Sequence, residues 1–540
     1  MKKKINNLML YISNRYPLGI IFVLYALSNL LMLFNDGVFW DDWTIYNMSY
    51  SGIMEQFDGN GSSFMGIMHF YLQNLTSHPS ILYHFITFTL ELLGIILFYK
   101  IANHFLKDNV KVFWLTAFFA LIPYNEAKIT MICLPYTIGF FLFLLATHFF
   151  ILFLKNSNFI YRIFSIVAFF FSFMFLNSVL VLMLGFILFM AMYPNLLTYT
   201  NYRIVINAAF RRMLSWSDFI ILPFVFWGFR HFYLTPSSIY KEMGYNEVSL
   251  SNIFSFPINA LNAINNNIIG LGFETLGSVY FSIYLFLFFL IVLSFLIIFF
   301  GNKSNSLTKY LNFNSTKEWF FVGIYFSVIC SFAYLLVGKT PSFFGFDSRH
   351  QILLKISTPI LIIWAVGLIK SNYQKYTLLI LTSLFIVTSI KQNIQYIGSW
   401  FKQEALANVF VNNKNIKNGD YILVLDSTND LNETETGYSF YSFAGMSKKV
   451  FKNQSRFIIL AQDLIYLKKV YKLELFIDGE GNNMSECKAP INFGSNYLLI
   501  QYKEQKPSIK DIILLLFNRY FSIEKFKKDL NEILFITSLR

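Results

Sequence analysis

The run VYFSIYLFLFFLIVLSFLIIFF, residues 279–300, contains no charged side chain. As an α-helix rising 1.5 Å per residue it reaches about 33 Å, enough to cross the roughly 30 Å of hydrocarbon in a bilayer. Working outward, comparable runs occur at 17–34, 79–99, 112–123, 135–154, 160–175, 178–194, 217–233, 319–336, 351–369 and 376–393, which makes about eleven expected spans. The 112–123 run is short. The 160–194 stretch reads equally as one long tilted helix or as a re-entrant pair turning at Asn177 and Ser178.

Composition supports the same class. The 540 residues are 56% hydrophobic and only 14% charged, against about 25% charged in a soluble domain. A formal charge of +13 would suit nucleic acid, but the basic residues sit in short connections rather than on one face, so no nucleic-acid partner is expected. Met1–Tyr16 has a basic flank ahead of an apolar run, and no small-residue cleavage site follows Leu33, which predicts a retained anchor. Cys133, Cys330 and Cys487 lack metal-ligand spacing, and a bridge between the first and last stays open.

Orientation follows from basic residues, because cytoplasmic loops retain them during insertion. The N-terminal segment and the alternate connections at 100–111, 155–162, 203–212, 303–317 and 370–375 hold 17 lysines and arginines in all. The opposite set holds 5: Lys128, Arg230, Lys241, Lys339 and Arg349. This bias predicts a cytoplasmic N-terminus in a plasma or inner membrane. With an odd number of spans, everything after about Ser399 then lies outside. There, charges and turn residues interleave with short apolar runs. Tyr421–Leu425, Arg456–Leu460, Leu473–Ile477 and Tyr497–Gln501 read as strands, Ile509–Arg519 and Ile523–Leu534 as helices. The expected fold is a polytopic α-helical membrane domain, 1–393, followed by a small extracytoplasmic α/β or α+β domain, 394–540.

The stretch with the most chemistry follows the first span: NDGVFWDDWTIY, residues 35–46, with Asp36, Asp41, Asp42 and two tryptophans. An aromatic belt with solvated acids is the plain reading. Against it stands the adjacent pair, since Asp41 and Asp42 repel each other when desolvated and call for a cation, a proton or a hydroxyl nearby. A second expected outer loop contributes Glu126 and Lys128 in PYNEAK, residues 123–128, and a third contributes Lys339, Asp347, Arg349 and His350. Taken singly, Glu126 or Arg349 reads as a helix-end charge. Because the three loops share a side, a composite site is expected, with Tyr46 beside it. Glu91 and His148 lie within expected spans, where hydrogen bonding between helices is the favoured role.

An acidic pair directly after the first span resembles the signature of the GT-C membrane glycosyltransferases. Pro123-Tyr124-Asn125-Glu126-Ala127 is similar to their proline-then-glutamate pattern at the second outer loop. Ser348-Arg349-His350-Gln351-Ile352-Leu353-Leu354 with Pro359 is similar to an Arg-Tyr-aliphatic-proline pattern entering a late helix. Asp42 stands where glutamate is frequent and His350 where tyrosine is common. The resemblance covers the layout of residues 1–393 and implies transfer of a sugar from a polyprenyl-phosphate donor to a glycan, lipid or protein acceptor of the cell envelope. It implies Asp41 as general base with Asp42 as helper, and Arg349, Lys128, Lys339 and His350 around the phosphate, with Glu126 orienting the acceptor. A phosphate leaving group needs no strong acid, so one carboxylate suffices for in-line, inverting attack. No cofactor is required, and a divalent cation (Mg or Mn) stays open. Gly61–Leu75 and Ser249–Leu271 are apolar enough to flank a groove for the lipid tail. A transporter or flippase, and a polymerase of lipid-linked saccharides, are the competing readings.

Overall fold

The computed structural model describes residues 16–196, 202–235, 248–300, 317–343, 345–412, 421–433, 437–438, 440–451, 457–460 and 497–539. From Pro17 to Asn412 every described element is helical. Helix α1 (Pro17–Asn29) carries Pro17 in its first turn, where a missing N–H is no loss, and runs on through a 3-10 turn to Phe34. Three short helices, α2 (Asp42–Ile45), α3 (Tyr50–Gly59) and α4 (Ser63–Asn74), fill loop one, residues 35–78. The bundle continues with α5 (Pro79–Phe105), α6 (Asn109–Leu121), α7 (Leu134–Asn156), α8 (Phe159–Phe175) and α9 (Val179–Leu196). Then come α10 (Tyr202–Ser215), α11 (Ser217–Tyr233), α12 (Leu250–Asn265), α13 (Leu271–Tyr280), α14 (Ile283–Phe300), α15 (Lys317–Leu336), α16 (Ser357–Gly367) and α17 (Ser371–Asn412).

Local sequence sets several boundaries. Asp108 opens α6 by accepting from the N–H groups of Val110 and Lys111, and Asn158 opens α8 by accepting from Ile160. Ser157 between α7 and α8 takes a left-handed conformation, φ 52, which reverses the chain in two residues.

Six helical stretches are long and apolar enough to cross a membrane: Pro17–Phe34, Pro79–Phe105, Met131–Asn156, Ile283–Phe300, Lys317–Leu336 and Ser371–Val411. Phe346–Lys355 and Ser357–Gly367, bent by 63°, make a seventh if the pair is one span. These coincide with seven of the expected runs and give a polytopic helical membrane protein. The other four expected spans fall on α6, α8, α9 and α11, of which α6, α8 and the Val179–Tyr193 stretch of α9 are shorter apolar helices of 10–17 residues. The 160–194 stretch is two helices broken at Leu176–Ser178, not one. Helix α6 has a specific reason to be short: Val112 through Leu121 are all buried, so it is enclosed by the bundle rather than faced with lipid. Its Phe119 stacks on Phe98 of α5 with centroids 4.0 Å apart. Where α16 crosses α15, a Cβ at Gly323 would fall 2.5 Å from Leu361 Cδ2, so any larger residue would force the Leu361 side chain to shift.

Helix α17 runs through position 393 without a break, so the expected domain boundary falls inside one 42-residue helix. Beyond it lie β1 (Tyr421–Asp426), α18 (Phe440–Val450), β2 (Phe457–Leu460), β3 (Tyr497–Tyr502), α19 (Ile509–Phe521), α20 (Ile523–Leu530) and β4 (Leu534–Leu539). The sheet order is β2-β1-β3-β4, with β1 parallel to both neighbours and β4 antiparallel to β3. The helix expected to reach Leu534 stops at Leu530, because the segment after it is taken up by pairing with β3 from Tyr502↔Leu534 to Tyr497↔Leu539. Leu473–Ile477 and Cys487 lie outside the described residues, and Cys133 and Cys330 are buried free thiols.

The sheet is fastened to α17 by Lys402, whose ammonium donates to Asp426 Oδ2 at 2.6 Å, Asn432 Oδ1 at 2.8 Å and the Thr428 carbonyl at 3.1 Å. The same segment grips loop one. Gln403 exchanges two hydrogen bonds with the Val38 backbone, and Gly445 lies flat on the Trp43 indole, where a Cβ would come within 2.5 Å.

Candidate functional site

Loop one, loop two (residues 122–133) and loop three (residues 337–356) meet at one end of the bundle, joined by buried polar contacts. Asp42, fully buried, accepts from the N–H groups of Met131 at 2.9 Å and Ile132 at 2.8 Å. Burial pushes its carboxyl up to about 8 against the pull of those amides. A carboxyl so enclosed braces loop two against loop one. Its oxygens are directed at the amides of loop two rather than at solvent. From the other side, Ser348 Oγ accepts from the Ala127 N–H at 2.9 Å, and Glu126 accepts from the Gly345 N–H.

These braces set the position of Asp41, which is half-buried. Trp40 immediately before it has φ 45, a conformation a bulky side chain rarely adopts and which persists only when its surroundings hold it. The surroundings are visible: the Trp40 ring lies 5.7 Å from Phe346 and 5.7 Å from Tyr396. Phe346 is also the ring on which the Arg349 guanidinium rests, 3.6 Å from the centroid. Arg349 donates to the Phe346 carbonyl at 2.7 Å, has Asp347 Oδ1 at 3.6 Å, and lies within electrostatic reach of Tyr136, Cys133 and Asp41. Lys339 stands close enough to feel Arg349, and burial, with that neighbouring charge, lowers its ammonium to about 8. Arg349 therefore lies within the fields of both Asp41 and Lys339.

His350, 3% exposed, packs 5.0 Å from the Tyr334 ring, has Asp347 Oδ1 3.7 Å from its Nδ1 and lies within the fields of Arg349 and Lys339. The other expected residues scatter. Tyr46 turns the other way, toward Lys449, whose ammonium lies 5.7 Å from its ring, and Asp36 pairs with His78 at 2.7 Å. Lys128 leaves its loop and reaches into the bundle, donating to Glu91 Oε2 at 3.0 Å and Asn29 Oδ1 at 2.7 Å. Glu91 also receives Lys355 at 3.0 Å and Tyr25 at 2.6 Å, so its role is the hydrogen bonding between elements expected of it. Half-buried His148 takes no comparable part.

Glu126 sits beside partners that sequence reading missed. Burial pushes its carboxyl up to about 8, with Glu274 and Glu433 adding to the rise and the Gly345 N–H and Lys391 opposing it. Glu274 of α13 and Lys391 of α17 are paired at 3.3 Å. Each is a charge set in an apolar helix, which is itself a signal of function. Glu433 arrives from beyond β1, held by the Ser399 hydroxyl, and brings the C-terminal segment to the site. The segment expected to lie in the interface, Ser249–Leu271, is α12 followed by a π-turn at Asn266–Gly270, with Phe254 81% exposed along it. Among the described residues no three His, Cys, Asp or Glu side chains gather as metal ligands. An apolar cavity of about 230 Å³ lies elsewhere, between Phe98, Phe143, Phe186, Phe326 and Ile360. Comparison with protein-family models finds no match, and comparison with curated proteins finds none either.

Proposed function

We propose that the chain is a membrane glycosyltransferase of the GT-C type, taking a sugar from a polyprenyl-phosphate donor and passing it to a cell-envelope glycan, lipid or protein. In this reading the N-terminus is cytoplasmic, the chain crosses about eleven times, and the loop cluster and C-terminal domain stand outside. One observation supports it: three sequence-distant loops are braced together, and a half-buried carboxylate, Asp41, lies within electrostatic reach of Arg349, which is in turn within reach of Lys339. That is the arrangement displacement of a phosphate requires, a base on one side of the anomeric carbon and fixed positive charge on the other.

The acceptor hydroxyl gives its proton to Asp41 as its oxygen bonds to the anomeric carbon. The bond from that carbon to the phosphate oxygen breaks, the electron pair leaves with polyprenyl phosphate, and configuration inverts. Arg349, held flat on Phe346, presents a guanidinium that stays charged, and Lys339 adds a second donor. Glu126, protonated below about pH 8, offers a hydrogen bond to the sugar or acceptor rather than a charge. A bridging Mg or Mn ion belongs to the same proposal as an option. Purified protein in proteoliposomes with a polyprenyl-phosphate radiolabelled hexose and an envelope glycan tests the reading, with a chelator arm for the ion. Transfer abolished in Asp41→Asn supports it, and transfer undiminished in that variant removes the base.

The competing transporter reading draws on one specific feature, the Glu91–Lys128–Lys355 cluster inside the bundle. Solute uptake into proteoliposomes without sugar transfer would favour it, and long glycan products would favour a polymerase.

A further inference from the structure

The Glu91 cluster does not balance its charge. Lys128 and Lys355 each place an ammonium 3.0 Å from one oxygen of the same carboxylate, and the lysine side chains are 20% and 8% exposed. Among the described residues no second acid pairs with either lysine, so two cations share one anion. An ammonium has three donors. Lys128 uses two, on Glu91 and Asn29, and Lys355 uses one, on Glu91. The unused N–H groups border a small cavity of about 10 Å³ lined by Asn29, Glu91, Tyr124, Lys128, Lys355 and Ser389 among others. A site this size holds one water-sized body and no polyatomic ion.

We propose that this cavity binds a single monatomic anion, chloride in the cell. The anion cancels the surplus charge and accepts hydrogen bonds from Lys128 and Lys355. Buried charge left uncompensated is strongly unfavourable, and a halide removes it without a conformational change. The site joins α5, loop two and loop three, so the occupant fastens the second and third loops to the bundle. Nothing in this inference depends on sugar transfer.

The test uses the full-length protein in detergent. Its Tm is followed in chloride, bromide or gluconate at constant ionic strength, and binding of radioactive chloride is counted. Chloride and bromide should raise the Tm saturably over gluconate, with one site per chain. Lys355→Met leaves a neutral Glu91–Lys128 pair, so it should lose at least about tenfold in chloride affinity while staying as stable as the wild type in gluconate. A second observation needs no variant: bromide-soaked protein should show one anomalous peak within hydrogen-bonding distance of both ammonium groups. Equal Tm in chloride and gluconate, a chloride effect that persists in Lys355→Met, or no bromide peak would each overturn the proposal.

Discussion

Two groups of charges lie on either side of loop two, and they are built in opposite ways. In the Asp41–Arg349–Lys339 group the carboxylate is half-buried and the guanidinium is held by an aromatic face and a carbonyl. In the Glu91–Lys128–Lys355 group the carboxylate already accepts three donors within 3.0 Å. In the proposed reading the first group meets the substrate, whereas the second joins α5 to loops two and three. Loop two supplies both, through Glu126 and Lys128, two residues apart in sequence, one at the loop cluster and one turned into the bundle. Charge in a membrane protein is thus no guide to function until its partners are known.

The contrast can be broken most sharply at Asp41. Asp41→Asn should lower transfer by about 10²- to 10⁴-fold, the usual worth of a general base, with an unchanged Tm. Glu91→Gln should do the reverse. It leaves two buried ammonium groups without their carboxylate and should cost about 3–5 kcal/mol of stability by chemical denaturation, while the folded fraction keeps its turnover number. Arg349→Lys keeps the charge but loses the flat contact with Phe346 and two-point recognition of phosphate; a fall of about 10²- to 10³-fold in turnover is expected, larger in kcat than in KM.

The smallest effect concerns Glu126. Its folded carboxyl titrates near 8 and its unfolded one near the ordinary 4.5, so between those values the folded protein keeps a proton that the unfolded chain has shed. Stability should therefore fall as pH rises from 4.5 to 8, by less than the full limit of about 1.4 kcal/mol per pH unit because the side chain is not wholly enclosed. Glu126→Gln, which copies the protonated form, should flatten this part of the stability profile in a pH series of denaturation curves.

Much of this was legible in the sequence and some of it could not be. Apolar runs name their own solvent, which is why six helices, or seven if the bent pair is one span, are long and apolar enough to cross where hydropathy places them. Asp41, Glu126 and Arg349 could be singled out because charges at the ends of such runs stand apart. Lys355 could not, because it lies within a run read as a single span, 351–369, and its partner Glu91 is 264 residues away. Separation along the chain likewise hides Glu274 beside Glu126, and Asp42's amide partners, 89 and 90 residues on. Helix α20 and β4 were run together because pairing of β4 with β3, not local pattern, decides where the helix stops.

All of the chemistry assigned to Asp41 requires loop one to face away from the cytoplasm. Single cysteines introduced at Ser49 in loop one and Lys100 near the far end of α5, both exposed, in a chain with its native cysteines replaced, test this with a membrane-impermeant maleimide on intact cells. The account predicts that Ser49→Cys is labelled at once and Lys100→Cys only after the membrane is permeabilised; the opposite pattern would contradict it.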